Sequence, residues 1–219
     1  MILFNFFYST SEIYLIKVKI TGIMKGTYIK KLQKFDKSLK IKKQGPTIAI
    51  GGLSGSGKTT VAQAMAKAAR LKLVNSGDLF RQLAKEKKLK LPEFSKACTP
   101  EDDYEIDRRA LRLAKQGNVV LVGRVAAFVA GNHADWRIFV DCPLKIKAER
   151  VAKREHESTE KAKREILTRD KRDAKRYKRL YGVNDSDTRI YDIIINTGQI
   201  SKEELIERSA RIAKFLVRK

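Results

Sequence analysis

The chain has 219 residues, and its 48 Lys plus Arg against 25 Asp plus Glu give a formal net charge of +23 at pH 7. This length accommodates one α/β domain with an appendage. A hydrophobic content of 42% excludes a wholly disordered protein, and 13 Gly with 2 Cys exclude collagen-like and disulfide-scaffold proteins. The cationic excess predicts an anionic partner, but charge alone does not choose between nucleic acid, nucleotide, phosphate and acidic membrane.

The first 45 residues form a Lys-rich N-terminal extension with ten Lys, no Arg, and only Glu12 and Asp36 as acids. Residues 25–44 have few large apolar side chains, which indicates a solvated arm or a loosely docked extension. This segment is either a solubilising tail or a binding arm. The apolar N-terminus lacks a basic n-region and a window of about 20 apolar residues, so we expect neither export nor membrane insertion. With two Cys expected as reduced thiols, the sequence predicts a cytoplasmic protein.

From Thr47 onward, short apolar runs alternate with segments of helical periodicity. The expected strands lie at 47–52, 71–74, 119–122, 137–141 and 191–196, and the expected helices at about 58–69, 77–88, 102–116, 144–156, 158–180 and 202–217. Strands that are apolar throughout and alternate with helices are typical of a parallel sheet covered on both faces. The fold class is therefore α/β, with three layers and a five-stranded parallel sheet flanked by helices.

Residues 52–59 match the phosphate-binding pattern GxxxxGK(S/T) between a predicted strand and a predicted helix. The glycines let consecutive backbone amides and the helix N-terminus face an anion. Lys58 would reach the β- and γ-phosphates of ATP, and the Thr59 hydroxyl would ligate Mg²⁺. The predicted nucleotide site consists of Gly52, Leu53, Ser54, Gly55, Ser56, Gly57, Lys58, Thr59 and Thr60.

Two arginines follow predicted strands. Arg81 comes just after the second strand and Arg124 directly after the third, at the sheet edge where open parallel sheets bind ligands. Their guanidinium forks suit a second phosphate opposite the first. Val122 lies where many enzymes with this loop carry an acid near the metal. Asp78, after the second strand, is a candidate ligand of the metal. The alternative is that Asp78 is only a negative charge at the N-terminus of its helix.

The segment 145–181 holds 15 Lys or Arg against 7 acids. Arg169, Arg172 and Arg176 are spaced to line one helical face. One interpretation is a solvent-exposed helix with many ion pairs. The other, which the use of Arg favours, is a mobile lid that closes over a triphosphate and excludes water.

Residues 47–200 resemble the P-loop nucleoside monophosphate kinases, and within them the archaeal-type cytidylate kinases. The stretches that carry the resemblance are GLSGSGKTT, VNSGDLFRQLA, EIDRRALRLAKQGNVVLVGR, the lid phrase TRDKRDAKRYKRLYG, which contains R-D-x-R-D-x-x-R, and IYDIIINT. The resemblance implies a P-loop NTPase fold with helical monophosphate-binding and lid segments. It also implies transfer of the ATP γ-phosphoryl group to CMP and dCMP.

The resemblance further implies roles for individual residues. Lys58, Arg169, Arg172 and Arg176 would hold the transferring phosphoryl group, and Asp173 would orient the lid arginines. The acceptor nucleotide would be held by Ser76, Asp78, Arg81, Arg108 and Arg124. Asp107 would contact the cytosine amino group, with the alternative that it pairs with Arg108 or another neighbour.

We thus expect an extension at 1–45 and a kinase domain at 46–219, with a lid at about 145–181, acting as a monomer with no membrane partner. Nucleic acid is a conceivable partner of the extension but not of the core. Val122 and the extension depart from the family pattern. Two alternatives stay open: a kinase for another acceptor such as AMP, UMP or shikimate, and an RNA-binding or ribosome-associated protein that uses the nucleotide as a switch.

Overall fold

The computed structural model describes residues 4–6, 13–15 and 27–218. The strands are β1 (Phe4–Phe6), β2 (Ile13–Leu15), β3 (Thr47–Gly51), β4 (Lys72–Asn75), β5 (Val119–Val122), β6 (Trp136–Asp141) and β7 (Ile193–Asn196). The α-helices are α1 (Thr27–Ser38), α2 (Lys58–Ala69), α3 (Ser76–Glu86), α4 (Leu91–Ala97), α5 (Pro100–Gln116), α6 (Ala126–Ala130), α7 (Leu144–Glu155), α8 (Thr159–Tyr181) and α9 (Lys202–Leu216).

The strands form one sheet in the order β1-β2-β7-β6-β3-β5-β4. The five strands from β3 to β7 pair in parallel, as predicted. The sequence did not predict β1 and β2, which add antiparallel strands at the β7 edge. The chain continues from β3 to β4, at one edge of the sheet, and from β6 to β7, in the direction of the other edge. In open parallel sheets, a crevice for ligands lies at the carboxyl ends of two neighbouring strands that are connected in this way.

Helices cover both faces of the sheet, which confirms the three layers. Ile48 and Ile50 of β3 pack with α2 and α9 in one apolar cluster, while Ala49 belongs to the cluster on the opposite face, with α3, α5 and α6. This alternation follows from the two-residue repeat of a strand. All three residues are fully buried, so the strand that leads into the phosphate-binding pattern is rigidly held.

The six predicted helices are present, with boundaries within about two residues. The start of α5 is set by a capping box in which Thr99 and Asp102 satisfy each other's backbone amides. The sequence did not predict α4 and α6, which have 7 and 5 residues and are too short for a periodic signal.

The extension contains α1, a docked helix. Leu32 is 5% exposed, and the Lys115 ammonium of α5 donates to the Asp36 backbone oxygen at 2.7 Å. The solvated-arm interpretation is therefore wrong for residues 27–38, and the alternative of a docked extension is right. The division at residue 45 and the lid boundaries stay predictions. Within the described ranges, no helix is both long and apolar enough to cross a membrane.

A buried ion pair joins β6 to the residue before β7. The Asp192 carboxylate accepts from the backbone amide of Arg137 at 2.7 Å and from its guanidinium at 3.3 Å, and both residues are buried. Asp192→Asn should lower the free energy of unfolding by about 3–5 kcal/mol, because the charge of Arg137 stays buried without its counter-charge. Urea unfolding followed by circular dichroism measures this.

The matched control is Glu207→Gln, which breaks an exposed pair with Arg211 on α9. It should change the free energy of unfolding by less than about 1 kcal/mol. Equal effects of the two substitutions would contradict the importance of burial.

Candidate active site

A cleft of about 1030 Å³ opens at the carboxyl edge of the parallel sheet, between α2, α3, α5, α7 and α8. The predicted site residues that line it are Ser54, Gly55, Gly57, Lys58, Thr59, Thr60, Ser76, Arg81, Asp107, Arg124, Arg169, Arg172, Asp173 and Arg176. The cleft thus brings together the phosphate-binding loop, both strand-end arginines and the arginine-bearing face of α8. Gly52, Leu53, Ser56, Asp78 and Arg108 are not among the residues that line it.

The phosphate-binding loop connects β3 to α2. Gly52 has φ +144° and Gly57 has φ +87°, conformations that favour glycine, and a side chain at Gly52 would collide with the Val140 carbonyl oxygen. Behind the loop, the Thr197 hydroxyl donates to the Ser56 carbonyl oxygen at 2.9 Å. Gly52 and Ser56 therefore contact the protein on the side of the loop away from the cleft. Helix α2 begins at Lys58, and its first residues line the cleft.

Lys58 turns back onto the loop that precedes it. Its ammonium donates to the Leu53 carbonyl oxygen at 2.9 Å. Burial, together with the positive charges of Arg124 and Arg169, lowers the pKa of Lys58 to about 8. An anion in the loop would favour the charged ammonium and reverse this effect.

Arg124 has several polar partners in the cleft, and its side chain is only 6% exposed. It donates to the Ser54 hydroxyl at 2.5 Å and to Asp185 at 3.1 Å, and it pairs with Asp173 at 3.0 Å. It also forms a short bond to Asp170 of α8. The guanidinium is thus surrounded by three carboxylates, and it ties the end of β5 to the lid helix.

The lid helix α8 presents its arginines unequally. Arg169 and Arg172 have side chains that are 65% and 72% exposed, and both contact the buried carboxylate of Asp173, at 3.8 and 3.3 Å. Arg176 instead pairs with Asp103 of α5, with an Nε to Oδ2 distance of 3.1 Å. Two guanidinium groups are therefore free to move towards a ligand, while the third holds α8 against α5.

The opposite side of the cleft carries Ser76, Arg81 and Asp107. Arg81 is half exposed and pairs with Asp78 one helical turn before it, so Asp78 acts here as a charge in the first turn of α3. Asp107 is buried and accepts hydrogen bonds from Tyr28 and Tyr181. Burial raises the pKa of Asp107 to about 7, although both hydroxyl donors act in the opposite direction.

The structure does not bring Arg108 to the cleft. Its guanidinium lies 4.3 Å from the centre of the Phe35 ring of α1 and donates to Glu105 at 3.2 Å. Asp107, its neighbour on the same helix, lines the cleft, whereas Arg108 does not. In this structure Arg108 holds α1 on α5, which speaks against its expected contact with the acceptor.

Apart from Asp173, the sequence did not predict the carboxylates that pair with the arginines of the cleft. Asp170 accepts from the Ser54 backbone amide at 3.3 Å, so that it takes an anion position in the phosphate-binding loop. Asp103 and Asp185 hold Arg176 and Arg124. The one available signal was the position of Asp170 next to Arg169 in the lid phrase.

Arg150 also lines the cleft, and it donates to the Thr197 hydroxyl at 2.9 Å and to its carbonyl oxygen at 2.6 Å. It thereby joins α7 to the segment after β7, which supports the phosphate-binding loop. Arg154 lies four residues further along α7 and also lines the cleft, but this spacing does not indicate Thr197 as the partner of Arg150.

The chain resembles several solved kinases in fold. It superposes on a shikimate kinase from Bacteroides thetaiotaomicron with TM-score 0.55 at 15% identity, covering 80% of this chain and 99% of that one. An uncharacterized protein from Eubacterium ventriosum gives TM-score 0.60 at 22% identity over the same shares of the two chains. At these identities the likeness concerns the fold alone.

Closer relatives come from archaea. The chain is 48% identical over 158 residues to the cytidylate kinase of Pyrococcus horikoshii, and these residues cover 71% of this chain and 82% of that protein. It is 44% identical over 168 residues to the cytidylate kinase of Methanopyrus kandleri, covering 72% and 87%. Residues 47–199 match the model of the cytidylate kinase-like family. The sequence resemblance is confirmed, and the chain belongs to the cytidylate kinase-like family.

Proposed function

We propose that the protein is a cytidylate kinase that transfers the γ-phosphoryl group of ATP to CMP and dCMP, giving the diphosphate and ADP. The observation that carries this proposal is that a single cleft joins the phosphate-binding loop to an acceptor side with Arg81 and Asp107, beneath the arginines of α8. The archaeal relatives named cytidylate kinase support the choice of acceptor.

The reaction needs no general base, because the attacking phosphate oxygen of the acceptor is already anionic at neutral pH. Catalysis then consists of aligning two phosphates and neutralising their charge. Lys58, Arg169, Arg172 and Arg176 supply positive charge from the loop and the lid. Asp173, which touches two of these arginines, holds them in position.

The ATP phosphates would replace the protein's own anion in the loop. Asp170 now accepts from the Ser54 amide and from Arg124. A bound β-phosphate takes over the amide and the Lys58 ammonium, so that Asp170 is left to Arg124 alone. The lid helix can then shift, because its contact with the Ser54 amide of the loop is released.

Mg²⁺ fits the site as an ion held mainly by the ATP phosphates. Thr59, in the first turn of α2, lines the cleft, and the described residues contain no group of three His, Cys, Asp or Glu side chains that could hold a metal. Mg²⁺ usually keeps several waters and binds few protein groups besides phosphates. When bound, the ion neutralises charge on the β- and γ-phosphates.

On the acceptor side, Ser76, Arg81 and Arg124 lie at or beside the strand ends where a second phosphate would bind, and Asp107 lies deeper in the cleft. A carboxylate accepts a hydrogen bond from the amino group of cytosine but repels the carbonyl oxygen that uracil has in its place. Nucleic-acid binding by the extension, the monomeric state and the cytoplasmic location stay predictions.

A panel of acceptors tests the function. ADP release measured with CMP, dCMP, UMP, AMP and shikimate should give a kcat/KM for CMP and dCMP at least about 100-fold above that for UMP and shikimate, since a site built to bind an amino group rejects analogues without it. AMP, which has an amino group on a larger ring, should also be a poorer acceptor. Equal turnover of CMP and UMP would refute the assignment. Asp107→Asn should reduce the preference of CMP over UMP, because an amide can donate to the uracil oxygen.

The pKa of Lys58 predicts how ATP affinity depends on pH. Bound phosphates favour the ammonium, so binding takes up a proton once the pH exceeds about 8. Affinity for a non-hydrolysable ATP analogue should be constant below that pH and fall above it, by at most about tenfold per pH unit for one linked proton. Calorimetric titrations between pH 7 and 9.5 measure this.

The control for that titration is Lys58→Met, which should bind the analogue more weakly below pH 8 and show no such decline. A decline of the same steepness in both proteins would assign it to another group.

Arg81→Ala should separate acceptor from donor. The loss of a charge-assisted hydrogen bond costs about 1.5–3 kcal/mol, which corresponds to a roughly 10- to 100-fold higher KM for CMP. The KM for ATP should stay unchanged in steady-state kinetics. Arg189→Ala, at an exposed arginine that pairs with Asp187, serves as the control and should leave both values as they are. A rise in the KM for ATP alone would place Arg81 on the donor side.

A further inference from the structure

Tyr28 of α1 reaches the acceptor side of the cleft from outside the family region at 47–199. Its hydroxyl donates to Oδ2 of Asp107 at 2.5 Å. The hydroxyl of Tyr181, at the end of the lid helix, donates to the same oxygen. A residue of the N-terminal extension and a residue of the lid therefore meet on one carboxylate that lines the cleft.

The position of Tyr28 is well determined by its neighbours. Its ring packs edge-on against Tyr104 and Tyr181, with centroid distances of 5.6 and 4.8 Å. Such aromatic pairs contribute about 0.5–1.5 kcal/mol each beyond burial. The Tyr104 hydroxyl donates to the backbone oxygen of Lys31 at 3.0 Å, which fixes the next turn of α1. The hydroxyl of Tyr28 is thus held in place by the docking of a whole helix.

Both tyrosines bind the same carboxylate oxygen, and this decides what Asp107 can do. Two donors on Oδ2 fix the rotation of the carboxylate, and no described residue donates to Oδ1. Since Asp107 lines the cleft, Oδ1 is the oxygen left for a ligand. A carboxylate held in this way accepts a hydrogen bond from a ligand without first having to be ordered.

We propose that Tyr28 is a positioning residue for acceptor recognition: together with Tyr181 it holds the Asp107 carboxylate so that Oδ1 accepts a hydrogen bond from the amino group of the cytosine base. This inference rests on the proposed function. It gives the N-terminal extension a part in acceptor selection, although the extension lies outside the matched family region.

The charges around Asp107 set the expected pH dependence. The groups that act on it are Tyr28 from α1, Tyr181 and Arg176 from α8, and Asp103 from its own helix α5; Tyr177 of α8 also lines the cleft. The two hydroxyl bonds stabilise the carboxylate against burial. Tyr28→Phe removes one of them, so the pKa of Asp107 rises and less of the accepting form exists at neutral pH.

The first experiment compares the full-length protein with Tyr28→Phe, which keeps the ring and its packing. At pH 7 the KM for CMP should rise about five- to tenfold, because the Asp107 carboxylate keeps its bond to Tyr181 but is less ionised. The KM for ATP should not change. The rise of kcat/KM for CMP with pH should shift to higher pH, so the defect should shrink in alkaline solution.

The control is Tyr104→Phe, which removes a hydrogen bond that holds α1 without touching Asp107. It should leave the KM for CMP and its pH profile at the values of the unmodified protein. Equal effects of the two substitutions would show that α1 acts only as a structural support, and would overturn the proposal.

Two further measurements keep the result independent of turnover and of folding. A carboxyl carbon NMR titration, assigned with Asp107→Asn, should show the Asp107 signal titrating at higher pH in Tyr28→Phe. In the Asp107→Asn background, Tyr28→Phe should change the KM for CMP by less than about twofold, because the two residues act through one contact. An unchanged titration, or additive effects, would refute the proposal.

The outcomes separate the two proposals. If the unmodified protein does not prefer cytosine nucleotides, the proposed function is wrong and the role of Tyr28 falls with it. If the unmodified protein phosphorylates CMP but Tyr28→Phe keeps its KM and its pH profile, the function stands and only the role of Tyr28 is wrong.

Discussion

The mutual repulsion of cations at the carboxyl edge of the sheet is the constraint on which the rest of the site depends. Lys58, Arg124 and three arginines of α8 line one cleft. Charges this close destabilise a folded protein unless anions lie between them. Carboxylates supply this neutralisation: Asp170, Asp173 and Asp185 surround Arg124, and Asp103 holds Arg176. Helix α8 packs where these carboxylates pair with the arginines, so the ion pairs determine its position.

The same carboxylates neutralise the cations that line the cleft. Asp170 binds the Ser54 amide and Arg124, contacts that suit an anionic ligand. A phosphate that binds here would replace a carboxylate as the partner of these groups. The cations of the cleft would therefore be neutralised both before and after it binds. Among these carboxylates, Asp170 also accepts from the phosphate-binding loop, at the Ser54 amide. It is therefore the group that the proposed exchange would displace.

Patterns local in sequence predicted most of the fold and the donor half of the site. Buried strands, six helices and the glycine-rich loop each carry their signal within about ten residues. The ion pairs could not be predicted in this way, because the partners of Arg124 come from positions 170, 173 and 185 and meet only in the folded chain. Arg108 does not line the cleft because its guanidinium packs on Phe35 of α1, a contact between residues far apart in the sequence. The two short helices and the three-residue strands offer too few residues for a period.

The extension shows how net charge can obscure a packing signal. Its Lys content indicated a solvated segment, yet Tyr28, Leu32 and Phe35 are spaced at i, i+4 and i+7, which places them on one face of α1. That face packs on α5, and the exposed lysines lie on the remaining surface. The cations therefore say little about what the helix does inside the molecule. Its contribution comes from the few uncharged side chains that meet the core, and one of these, Tyr28, ends on the carboxylate that faces the acceptor. Through this hydroxyl, a helix outside the family region contacts a side chain that lines the cleft, while the lysines of the same helix are exposed.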